Sequence, residues 1–257
     1  MHDALLEWYG REHRDLPWRR TSDPYAILVS EVMLQQTQVI RVVPRYEQWL
    51  ERWPSEDALA GASRADVLAA WVGLGYNTRA VRLHEACRAV AREGWPRTAA
   101  GLRGLPGVGP YTAAAVASFA FGEHVAAVDT NVRRVAARLG RGAPEDLLPP
   151  GRAHDWNQAM MELGAMVCGA RAARCEACPV AASCASRGSV VVATRAPSGT
   201  RERFEDSTRW VRGRIVAALA AGDGLPDAIP EQRLRPALDG LVRDGLVVVE
   251  QGGARLA

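Results

Sequence analysis

Lysine is absent: all 32 basic residues of this 257-residue sequence are arginine. That excludes any mechanism in which a lysine ε-amine is the nucleophile, Schiff-base chemistry above all. Also missing is any run of about 18 apolar residues, which argues against a membrane span. The opening MHDALLEWYG has neither a charged leader nor a long apolar stretch, so a cytoplasmic protein without a membrane partner is expected. Excess charge is small too. At +3 the net charge does not mark a polyanion binder by itself, although the guanidinium fork is suited to phosphate. No convincing strand signal precedes residue 188.

Helix signals fill that space. Asp23 before Pro24 reads as an N-cap with proline at the first helical position, leading into PYAILVSEVMLQQT. Further helices are expected over 39–51, 64–74, 79–93, 111–121, 131–139 and 153–167. The length favours one large domain, or two lobes around a cleft, with a small appendage. Residues 1–186 form the main domain in this reading. Residues 187–206, RGSVVVATRAPSGTRERFED, read as a linker in which SVVVAT is a short extended segment. Residues 207–257 follow a helix, helix, hairpin order, with apolar positions at Val211, Ile215 and Leu219, then Leu234, Leu238 and Leu241, and strands around Gly252 and Gly253. That order is winged-helix-like. It serves DNA binding in some proteins and plain packing in others, and packing is the expectation here.

Four stretches carry chemistry. In EVMLQQTQV a single acid, Glu31, heads an apolar helical run that ends in the amides Gln35 and Gln36; the plain alternative is a helix acid with two surface amides. In LPGVGPY, Gly107, Val108 and Gly109 form a tight turn into an alanine-rich helix, where backbone amides make an anion site without side-chain charge. Asp129 in VAAVDTNVRRVAARLG follows an apolar approach and precedes a helix, a pattern that fits a simple N-cap as well as a site residue. Cys168, Cys175, Cys178 and Cys184 lie in one short loop with spacing C-x6-C-x2-C-x5-C. A disulfide knot is disfavoured in a cytosolic chain, and zinc sites usually use two close pairs. Four thiolates in a compact loop suit a cubane [4Fe-4S] cluster with every corner filled, a scaffold or DNA-facing element rather than a catalyst. Cys87 stands alone and reads as a buried thiol.

Together, LPGVGPY, VDTNV, the four-cysteine loop and SEVMLQQTQV resemble the helix-hairpin-helix base-excision glycosylases of the endonuclease III superfamily. LPWR at 16–19, EVMLQQT and NQAMMELGAMVC at 157–168 resemble its MutY-type adenine DNA glycosylases. The likeness runs from about residue 4 to residue 184. It implies a mainly α, two-lobed fold with a [4Fe-4S] loop at 168–184, acting as a monomer on double-stranded DNA that contains a mispair or lesion. The implied reaction removes adenine opposite 8-oxoguanine or guanine. By the same resemblance Glu31 is the general acid, Asp129 stabilises the sugar cation, Asn131 assists beside it, and Tyr111 stands where lyase relatives carry a catalytic lysine. Gln36 is the wedge, with Gln35 near the opposite strand, and Gly107, Val108 and Gly109 hold the DNA backbone. Arg14, Trp18, Arg19, Leu34, Gln158 and Glu162 form the adenine pocket; Gln158 and Glu162, four apart, would share one helical face.

Two departures stand against the family pattern. A β-rich lesion-reading domain usually follows, yet 73 residues follow Cys184 here. The usual G-Y-Y stretch appears as GLGYNTRA, which puts Asn77 where a tyrosine contacts the oxidised base. The rival readings are a mismatch thymine or uracil glycosylase and a non-catalytic iron-sulfur DNA-binding module.

Overall fold

The computed structural model describes residues 1–190, 203–250 and 253–257. Helices dominate them. In chain order they are α1 (His2–Glu12), α2 (Pro24–Leu34), α3 (Val39–Arg52), α4 (Glu56–Ala60), α5 (Arg64–Trp71), α6 (Thr78–Glu93), α7 (Ala99–Leu102), α8 (Pro110–Phe121), α9 (Thr130–Leu139), α10 (Ala153–Met166), α11 (Thr208–Ala221) and α12 (Glu231–Arg243). Strands β1 (Val247–Glu250) and β2 (Gly253–Leu256) pair antiparallel, Val247 opposite Leu256. Among the described residues no helix is long and apolar enough to cross a membrane.

Local chemistry explains most boundaries. Asp23 caps α2 by accepting from the backbone N–H groups of Tyr25 at 3.1 Å and Ala26 at 3.3 Å. Helix α5 ends at Trp71, three residues before the expected end, because the chain turns through Gly73 at φ 94° and Gly75 at φ 72°. Gly122 and Gly140 close α8 and α9 in the left-handed conformation.

Two compact units result. The first joins the described residues of Met1–Glu31 and Trp95–Pro197. Its core packs Leu5 and Trp8 of α1 against Val132, Val135 and Leu139 of α9 and Trp156, Met160 and Leu163 of α10. Helices α7 and α8, joined by the turn at Gly107, pack as a hairpin in the same unit.

The second joins Val32–Gly94 with the described residues of Ser198–Ala257. Helices α11 and α12 and the hairpin appear in the order expected of 207–257. Their core residues Val211, Ile215, Leu241 and Leu256 are continuous with Leu68 of α5 and Val81 of α6. Most of the linker and of the extended segment SVVVAT lies outside the described residues, as does Gly252.

Candidate active site

Helix α2 is buried all round from Tyr25 to Met33, so any polar group on it must be satisfied inside the protein. Ser30 donates to the Ile27 carbonyl at 2.8 Å. Glu31, 7% exposed, is different. Burial pushes its carboxyl up to about 7; the neighbouring Tyr111 hydroxyl, which donates to Met161 Sδ at 3.7 Å, opposes that, the negative charge of Asp129 adds to it, and Arg19 opposes it. An acid that is about half protonated near neutral pH is suited to donate a proton. Tyr111, on the first turn of α8, is itself raised well above the ordinary phenol range by burial and by the charges of Glu31 and Asp129.

Asp129 stands at the N-cap of α9, and it is also a neighbour of Glu31. Its Oδ1 accepts from the Val132 backbone N–H at 2.7 Å and its Oδ2 from the Asn131 side-chain amide at 2.8 Å. The helix N-terminus favours the negative charge there. Asn131 is held in turn by Arg134, which donates to its Oδ1 at 2.8 Å, to the Gly164 carbonyl at 2.7 Å and to the Cys168 carbonyl at 2.9 Å. A side chain at Gly164 would put its Cβ 2.6 Å from the Asn131 Cβ, so α10 admits only glycine at this crossing. Asn157, fully buried, ties the approach to Asp129 by accepting from the Ala127 N–H at 2.9 Å and donating to the Val125 carbonyl at 2.9 Å.

Of the residues expected to bind the base, Arg14 and Arg19 meet at Glu162, and Arg19 also acts on Glu31. Glu162 is fully buried, and its carboxylate accepts from the Arg14 backbone N–H at 2.9 Å, from the Arg14 side chain at 2.8 Å and 2.7 Å, and from Arg19 at 2.7 Å. Burial alone would raise this carboxyl, but the hydrogen bonds from both arginines prevail and hold it at about 2. Four donors fill its acceptor positions, so in this state Glu162 positions Arg14 and Arg19. Gln158 accepts from the Tyr9 hydroxyl at 2.6 Å and faces His154 Nε2 at 3.2 Å. Trp18 is half-buried in a short 3-10 turn with Arg19. Tyr9, His154, Arg134, Asn157 and Gly164 were not among the expected site residues; the partners of Tyr9, Asn157 and Gly164 lie 30 or more positions away, while His154 and Arg134 meet Gln158 and Asn131 within one helical turn.

Leu34, Gln35, Gln36 and Asn77 belong to the second unit. Gln36 is exposed with φ 57°, and Tyr76, next to half-buried Asn77, has φ 47°; they are the non-glycine residues with positive φ among those described. In the hairpin turn of the first unit, Gly107 has φ 74°, and the Val108 N–H is spent on the Leu105 carbonyl at 3.2 Å. The donors this turn can offer an anion are the amides of Gly107 and Gly109.

The four cysteines line one pocket, together with Arg138, Val167 and Arg174. None is in a disulfide. Among the described residues no group of three or more His, Cys, Asp or Glu side chains is drawn together around a point that one metal ion would occupy. Arg138 donates to Cys168 Sγ at 3.2 Å, and Cys184 Sγ donates to the Arg138 carbonyl at 3.3 Å. Four soft donors around a shared space fit an iron-sulfur group.

A helical scaffold with a glycine hairpin carries Glu31 and Asp129, and residues 29–147 match the model of the HhH-GPD superfamily of base excision DNA repair proteins. The adenine DNA glycosylase of Mycolicibacterium smegmatis is 44% identical over 273 aligned residues, covering 95% of this chain and 91% of the relative. That of Mycobacterium tuberculosis is 45% identical, covering 85% and 78%. The chain belongs to the MutY-type adenine DNA glycosylases of this superfamily. Its fold matches a thermostable thymine-DNA glycosylase at a TM-score of 0.68 and 30% identity, covering 73% of this chain and 95% of the other.

Proposed function

We propose that this enzyme excises adenine from double-stranded DNA where it is mispaired with 8-oxoguanine or guanine, by hydrolysis and without cutting the strand. The observation that carries the reading is the Glu31 carboxyl, held at about 7 by burial next to Asp129. The adenine must leave the helix to be reached. Glu31 then protonates the departing base, most simply at N7, and Asp129 stabilises the cationic sugar while water completes the exchange. Two neighbouring carboxyls with opposite charge requirements are the pattern such a division of labour needs. Arg14, Arg19, Trp18, Leu34 and Gln158 bind the base, with Glu162 holding the two arginines; Gln36, Gln35 and Asn77 engage the duplex, and the turn at Gly107 to Gly109 takes a phosphate.

No strand cleavage follows from side chains. Tyr111 and the rest of the chain offer no lysine amine to attack the sugar. Cys168, Cys175, Cys178 and Cys184 would hold a [4Fe-4S] cluster, which when bound supplies a rigid cross-link of the 168–184 loop. Residues 207–257 act as a winged-helix-like packing domain, and the protein works as a cytoplasmic monomer.

The resemblance to a thymine-DNA glycosylase supports a second reading, mismatch thymine removal. Duplexes with A opposite 8-oxoguanine, A opposite G, T opposite G and U opposite G separate the two through alkali-labile sites. Sites at A alone support adenine excision; sites at T or U alone reject it. Borohydride should trap little covalent complex, and trapping that survives a blocked amino terminus rejects the hydrolytic reading.

A further inference from the structure

The start of α11 reaches a strained loop of its own unit. Residues 73–77 pass through left-handed conformations at Gly73, Gly75 and Tyr76. Such a conformation is strained for a non-glycine residue and persists only where the surroundings enforce it. Arg209 packs against the Tyr76 side chain. Its guanidinium carbon lies 3.8 Å from the centre of the Tyr76 ring, and its Nη1 donates to the Tyr76 hydroxyl at 2.8 Å. Arg209 Nη2 comes so close to Gly75 that a Cβ there would meet it at 3.2 Å.

The same loop is tied to the end of α2. Arg79, 8% exposed, donates to the carbonyls of Val32 at 2.8 Å and Gln35 at 2.6 Å, and to those of Leu74 at 3.1 Å and Gly75 at 2.9 Å. One guanidinium thus joins the turn that carries Gln36 to the loop that carries Tyr76. Among the described residues neither Arg79 nor Arg209 is in an ion pair with a carboxylate, so their charge is not neutralised inside the protein. Tyr76 remains 40% exposed, and Phe204, 56% exposed, has its ring centre 5.8 Å from the Arg209 carbon. Exposed aromatic faces with an unneutralised guanidinium are the chemistry of a platform for an unstacked base. Excision of a flipped base leaves such a base in the opposite strand.

We propose that Arg209 is a specificity-determining residue contributed by the C-terminal segment: it sets the loop whose Tyr76–Arg209 face holds the base left without its partner. This rests on the excision reading above. The test compares single-turnover adenine release from duplexes with 8-oxoguanine or G opposite, for the wild-type chain, Arg209→Ala, Arg209→Lys and Tyr76→Phe, with a thermal melt of each. Equilibrium binding to duplexes carrying an abasic site opposite either base gives a second readout, free of chemistry.

Arg209→Ala should change the ratio between the two duplexes by about fivefold, as loss of a cation–π contact implies. Arg209→Lys should restore part of it, and Tyr76→Phe should move it in the Arg209→Ala direction by less. An equal loss on both duplexes, or no loss, in a variant that melts like wild type would overturn the proposal. Should Arg209→Ala fail to fold, unchanged ratios in Arg209→Lys and Tyr76→Phe would overturn it. A wild-type chain that releases adenine from neither duplex overturns the excision reading and this inference with it, before any variant is made.

Discussion

The hydroxyl of Tyr111 lies beside the carboxyl of Glu31, and it is the largest influence that opposes the rise burial imposes on that acid. The excision rate should therefore fall as pH rises above about 7, as the donor loses its proton. Tyr111→Phe removes the opposing hydroxyl and should move this limb to higher pH. Single-turnover rates from pH 5.5 to 9 check both; an unmoved limb in the variant would separate the limb from Glu31.

Stability should carry the same signature. Between about 4.5 and about 7 the folded chain keeps a proton on Glu31 that the unfolded chain has released, so this residue's contribution is full below the lower value and is lost as pH rises through the upper. The shift corresponds to about 3 kcal/mol. Glu31→Gln removes the titration, so the variant should gain on wild type as pH rises from 5 to 8. Parallel denaturant-midpoint curves for the two would contradict the burial of this acid.

Gly164→Ala should damage the site from a distance. The new methyl would meet Asn131, displace it from Asp129, and cost about 1 to 3 kcal/mol through overpacking. A thermal melt and single-turnover rates should fall together, the rate by roughly tenfold if the misplacement costs about 1.4 kcal/mol at the transition state. Wild-type behaviour in both would show that Asn131 does not need its present position.

Anaerobically purified protein should be straw-brown and contain about four irons per chain, as four cysteine ligands imply. Zinc without iron in such material would contradict the cluster.

Much of this was legible because the signals are local. Asp23 and Pro24 announce α2, the glycine turn announces the hairpin, and the four-cysteine spacing brings its own pocket. Asp129 shows that the plain reading and the functional one need not compete, since one carboxylate caps α9 and faces Glu31. Glu162 was harder. Its i, i+4 relation to Gln158 suggests a shared base-reading face, but its partners Arg14 and Arg19 lie 148 and 143 positions away and occupy it with ion pairs. Similarly, no local pattern in 207–257 reveals that Val211 and Ile215 share a core with Leu68, or that Arg209 stacks on Tyr76.

Glu31 as proton donor to a departing adenine is tested most directly by measuring free adenine released in a single turnover from a duplex with A opposite 8-oxoguanine, by wild type and by Glu31→Gln, with binding of the same duplex measured alongside. The account predicts adenine release by wild type and a rate at least ~100-fold lower in the variant, the low end of what general acid catalysis contributes, with duplex binding retained. Near-normal adenine release by Glu31→Gln would contradict it.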